Sequence, residues 1–144
     1  MSFSTIPVRT NGPKVEAGWF NALRTAGILV DSLVAQTTFT VANNQSSPAN
    51  VTGAAFAQAS YRGVILLVEG RRKTDSSERV AMGFIFMFYR QASSTWDVMR
   101  VMNGDELGIE FTVTGAGQLQ YISDNQSGSN YSGSLRFRAF PFEV

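Results

Sequence analysis

From Gln36 to the carboxyl terminus the apolar residues of this chain recur at every second position, and no stretch in those 109 or so residues returns to helical spacing. Two segments set the scale of what must be built. In RGVILLVEG, Val64, Leu66 and Val68 point one way and Ile65 and Leu67 the other; in MGFIFMFYR, Phe84, Phe86 and Phe88 oppose Ile85, Met87 and Tyr89. A strand that is apolar on both faces is either central in a covered sheet or has its outer side capped by another subunit. The polar segment GRRKTDSSE joins the two, so together they read as one long hairpin.

Alternation and turn residues place strands at Thr37–Val41, Asn50–Phe56, Ser60–Glu69, Arg79–Arg90, Trp96–Met102, Gly108–Thr114, Gln118–Ser123 and Ser134–Phe142. In the last, Leu135, Phe137, Ala139 and Pro141 share one face, and Arg136, Arg138, Phe140 and Phe142 share the other. Pro141 lacks an N–H for the ladder and suits an edge or a strand end. With no second helix to supply crossovers, an antiparallel β-sandwich or jelly roll is favoured over a parallel sheet.

Residues 14–34 follow a different period. In KVEAGWFNALRTAGILVDSLV, Trp19, Leu23, Ala26, Val30 and Leu33 step by four, three, four and three, which predicts a helix with one apolar seam. Pro13 and Glu16 suit its first turn, while Gly18 and Gly27 each weaken it by up to about 1 kcal/mol. The seam needs a cover, either this chain's own sheet or another subunit. Phe20, Ile28 and Leu29 lie off the seam. The expected fold is therefore mostly β, one amino-terminal α-helix preceding the sandwich, with residues 1–36 as leader and helix and residues 37–144 as the β domain.

A chain of 144 residues is one domain in size and buries a core without covalent staples. Charged residues make up only 16%, so Ser, Thr, Asn, Gln and Gly must finish the surface. Twelve Lys and Arg against 11 Asp and Glu give a net charge of +1, which disfavours nucleic acid as a partner. The basic run Arg71, Arg72 and Lys73, followed by Asp75 and Glu78, reads as a solvated hairpin tip. No apolar run approaches the about 20 residues of a membrane helix, and no signal-peptide layout opens the chain, so a soluble protein without membrane insertion, made in a cytoplasm, is expected.

The chain has no histidine and no cysteine. That removes the usual proton shuttle, the Ser–His pair, thiolate nucleophiles and the commonest metal ligands. Asp105, Glu106 and Glu110 are the densest acidic group, and a charged turn explains NGDELG better than a calcium loop or a glycosidase pair. No cofactor motif occurs, and a non-enzymatic role is expected.

Two nearly uncharged segments remain, NNQSSPANVTG at 43–53 and DNQSGSNYSGS at 124–134. Each lies between predicted strands, so turn-making is their leading explanation. Recognition of a glycan by Tyr131, Asn125 and Asn130 at these rims is the alternative, an aromatic face beside amide donors being what sugar binding uses.

KVEAGWFNALRTAGI, followed by FTVANNQSSPANVTG and ending in SGSNYSGSLRFRA, resembles small bacteriophage virion proteins of the tail-fibre, collar or head-fibre type, over most of the chain. The resemblance implies a structural subunit of the virion, made in the bacterial host cytoplasm, assembled as a homo-oligomer with a trimer favoured, and in contact with other virion proteins. By position, Trp19, Phe20, Asn21, Leu23, Ala26, Val30 and Leu33 would be its attachment or oligomer contacts. Compared with full-length fibres the sequence is short and shows no long repetitive shaft and no obvious separate host-binding tip, so direct receptor binding is not what it leads one to expect.

Overall fold

The computed structural model describes residues 35–144. All regular structure among them is strand: β1 Gln36–Thr40, β2 Ala49–Ala55, β3 Tyr61–Lys73, β4 Glu78–Arg90, β5 Thr95–Gly104, β6 Ile109–Val113, β7 Gln118–Ser123 and β8 Ser132–Glu143. The expected class, a β fold preceded by an α-helix, is thereby corrected to an all-strand antiparallel fold. The helix expected over residues 14–34, with its seam from Trp19 to Leu33, lies outside the described residues.

The strands form two antiparallel sheets, one of five in the order β1-β8-β3-β4-β5 and one of three in the order β2-β7-β6. Because β4 is both the hairpin partner and the spatial neighbour of β3, the first sheet gains a strand, and the even four-and-four partition of an eight-strand jelly roll is not reached. The β3–β4 hairpin is the spine. Its register runs from Lys73↔Glu78 to Gly63↔Phe88 without a break.

Register fixes which side of each strand is buried. Val64, Leu66 and Val68 of β3 face Met87, Ile85 and Gly83 of β4, and β8 adds Phe137 and Leu135 on the same side. The smaller sheet closes over them with Val51, Ala54, Ile109, Leu119 and Tyr121. Each large aliphatic or aromatic side chain so buried contributes about 1.5–3 kcal/mol before chain entropy is counted. Trp96 and Tyr121 belong to this core, and the Tyr121 hydroxyl accepts a hydrogen bond from the Ala42 N–H at 3.1 Å.

Pro141 sits where its chemistry allows. β1 flanks β8 only from Ser134 to Arg138, so the stretch around Pro141 has a ladder on the β3 side alone and no N–H is missed on the other.

Candidate functional site

The same register that fills the core fills the opposite side of the five-stranded sheet with apolar groups. Outward from β4 point Val80, Met82, Phe84, Phe86 and Phe88; beside them stand Ile65 and Leu67 of β3, Phe140 and Phe142 of β8, and Met99 and Val101 of β5. Ile65, Leu67 and Phe86 are half-buried, and the others run from 36% exposed at Phe88 to 57% at Met82, with Met99 at 53% and Phe142 at 56%. The Phe84 and Phe86 rings lie 6.0 Å apart and the Arg90 guanidinium caps Phe88 at 5.3 Å. A monomer seldom leaves a contiguous apolar patch of more than a few hundred Å2 in water. By contrast the outward side of the smaller sheet is mostly polar, carrying Asn50, Glu110, Thr112 and Gln120 beside Ile122.

The second feature is at one end of the sandwich. Arg72, in phase with Val64, Leu66, Val68 and Gly70, points inward and is 0% exposed. Its Nε donates to the Tyr131 hydroxyl at 3.0 Å, Nη1 to the Leu107 carbonyl at 2.6 Å and to an Asp124 carboxylate oxygen, and Nη2 to the Asn43 side-chain oxygen at 3.0 Å and the Asp124 carbonyl at 2.7 Å. With the Gly108 carbonyl at 3.2 Å from Nη1, the planar fork thus donates to five residues. Arg79 holds the other carboxylate oxygen of Asp124 at 2.8 Å. Burial alone would raise the Asp124 carboxyl; hydrogen bonds and charge from Arg79 and Arg72 outweigh it and hold the group below its ordinary value.

The two nearly uncharged segments meet around this arginine. Asn43 accepts from the Gln126 N–H at 2.8 Å and its amide donates to the Asn125 side chain at 3.2 Å, while Gln45 and Ser123 exchange hydrogen bonds in both directions. The tip of the β3–β4 hairpin joins them, Asp75 and Ser129 each donating a backbone N–H to the other, to a carbonyl and a carboxylate respectively. The run Arg71–Lys73 is accordingly not a solvated tip; Arg71 and Lys73 face water, but the strand continues through them and Arg72 is its buried member.

The structure brings the expected rim residues into this same network. Tyr131 places its ring 5.5 Å from the Arg72 guanidinium and its hydroxyl on Arg72, Asn125 is engaged by Asn43, and Asn130 occupies a left-handed turn position with φ 56°. The polar atoms of Tyr131 and Asn125 serve the corner. The attachment residues Trp19, Phe20, Asn21, Leu23, Ala26, Val30 and Leu33 lie outside the described residues.

The acidic group of NGDELG is distributed. Asp105 accepts from the Val80 N–H at 2.8 Å, Glu106 pairs with Arg100 at 3.2 Å, and Glu110 looks outward from β6. Glu106, Glu110 and Asp124 border a shallow groove of about 590 Å3 that Asn44, Gln45 and Ser46 complete. Among the described residues no group of three or more His, Cys, Asp or Glu is arranged to hold a metal ion.

Sequence reasoning missed the role of Arg72, although the two-residue parity of β3 carried the signal. Extending the alternation past Glu69 puts Arg72 in phase with the core.

No protein family matches the chain, and no curated protein does. Among solved structures, the tailspike protein of Acinetobacter phage vB_ApiP_P1 is similar over 76% of this chain at 11% identity, with a TM-score of 0.43. The chain spans 22% of that tailspike's length.

Proposed function

We propose that this protein is a non-enzymatic structural subunit of a bacteriophage virion, of the tail-fibre, collar or decoration kind. Residues 1–36 attach it to the particle and residues 37–144 form the β domain that packs within the assembly. The observation that carries the reading is the apolar outer face of the five-stranded sheet. A side covered with Phe, Met, Val, Ile and Leu gains nothing in water and is kept only where something covers it. The charged groups best placed for chemistry are committed to ties within the fold, Arg72 and Arg79 to Asp124, Asp105 to β4 and Glu106 to Arg100. The resemblance of KVEAGWFNALRTAGI and SGSNYSGSLRFRA to virion fibre and collar proteins supplies the setting.

Mass spectrometry of gradient-purified particles from an infected lysate tests it. The chain is expected in the particle band at a fixed ratio to the major capsid protein, and a paired Trp19→Ala, Leu23→Ala variant is expected to stay in the soluble fraction. Finding the wild-type chain only among free proteins contradicts the proposal.

A further inference from the structure

The outer face raises a question of occupant, and its size and charge answer it. β8, β3 and β4 are 12 to 13 residues long and β5 is 10. At about 4.8 Å between strands and about 3.3 Å per residue, these four strands present roughly 19 Å by 40 Å, on the order of 800 Å2. A stable protein interface removes about that much from each partner. The apolar groups occupy the middle of the area, with polar and charged residues toward both ends, which is the layout of an interface with a dry centre and a wet rim.

Charge then selects the partner. Lys73 and Arg138 stand on this face, and three outward pairs surround the apolar centre: Glu69 with Arg136 at 3.9 Å, Arg71 with Glu78 at 2.7 Å, and Arg90 with Asp97. Each joins neighbouring strands and neutralises itself within the chain. Such a rim offers no single-sign field to an anionic membrane, a nucleic acid or a strongly charged protein. Both signs are present around it, so a copy turned about a two-fold axis can set acid against base. A sheet face of this flat, extended kind packs most readily on another sheet about 10 Å away, with side chains of the two faces interleaving.

We infer that the outer face of β8-β3-β4-β5 is a self-association surface, covered by the same face of a second copy of this chain. The inference rests on the assembly reading above and names the partner. Two copies related by a two-fold axis bring identical faces together.

Sedimentation velocity of the full chain over a range of concentrations tests it, alongside Phe84→Asp with Met99→Asp. Both side chains point away from the core, so far-UV circular dichroism is expected to match the wild type. The wild type is expected at the mass of two chains. The double variant is expected as single chains, its dissociation constant raised at least about 100-fold by a buried unpaired charge. Met99→Lys alone, on the edge strand, is the second variant should the first not fold, and it is expected to weaken association in the same direction. A monomeric wild type, or an association that a folded variant leaves intact, overturns the inference. Recovery in purified particles separates this from the assembly reading. A monomeric wild type whose face variants are lost from particles keeps the assembly reading with another occupant, residues 1–34 or a different virion protein; one whose variants enter normally removes the self-association inference and leaves the chain a particle component that assembles without this face.

Discussion

Arg72→Ala is expected to destabilise the β domain by about 3–5 kcal/mol and to lower its Tm by about 10 °C or more. The loss has two parts. A cavity opens where a fully buried side chain stood, and the groups it held lose their partner: the carbonyls of Leu107 and Asp124, the Asn43 oxygen, the Tyr131 hydroxyl and the Asp124 carboxylate. Arg71→Ala is the control in the adjacent position. Its pair with Glu78 is exposed on both sides, and such pairs contribute about 0–1 kcal/mol. Thermal melts of the two variants should differ severalfold in shift; equal shifts would mean that Arg72 does not knit the two nearly uncharged segments together. Lysine is no substitute, since one ammonium cannot reach acceptors spread around a planar fork.

The same tie sets the sign of the acid response. The folded Asp124 carboxyl is held below its ordinary value of 3.8, so its contribution is complete above about pH 4 and is lost as pH falls through the depressed folded value. With Asp124 45% exposed, solvent screens part of the effect. Arg72→Ala is therefore expected to flatten the acid limb of the stability curve as well as lower it.

Gly117→Ala is expected to cost about 3 kcal/mol, and Gly115→Ala, two residues earlier in the same β6–β7 turn, less than about 0.5 kcal/mol. Gly117 has φ +80°, a conformation that alone costs an L-residue about 1–2 kcal/mol. An added Cβ would also stand 1.9 Å from the Phe56 carbonyl oxygen and 3.0 Å from the Trp96 indole nitrogen. The backbone cannot simply retreat, because the Phe56 N–H donates to the Gly117 carbonyl at 2.9 Å and fastens the end of β2 to the turn. At Gly115 an added Cβ meets nothing within 4 Å. Chemical denaturation with unchanged m-values reads both; a Gly115 effect as large as that at Gly117 would contradict the clamp.

The strands were legible in the sequence because their cause is local. Period-two alternation bounded by Gly, Asn and Ser places all eight, and Gln118–Ser123 coincides with β7 residue for residue. The double-sided apolarity of β3 and β4 also stands in the sequence, including the need for a cover over Phe84, Phe86 and Phe88. What the sequence does not display is which distant groups meet. Arg72 reads as one of three basic residues until its acceptors arrive from 35 and 52 positions away, and Asn43 reads as a turn residue until Gln126 arrives from 83 positions away. Runs of Asn, Gln and Ser have no apolar phase to reveal their neighbours, so the corner they build was visible only as composition. The partition into five and three strands depends on where β4 and β5 turn relative to the core, which strand pattern alone leaves open.

Coverage of the apolar face is read most directly by a thiol placed on it. The chain contains no cysteine, so Met99→Cys gives a single reporter at a position 53% exposed in the isolated chain. If the face is buried against another copy, maleimide labelling is slow at high protein concentration and rises to the rate of a free thiol on dilution. Labelling at the free-thiol rate at every concentration, in protein that remains folded, would contradict it.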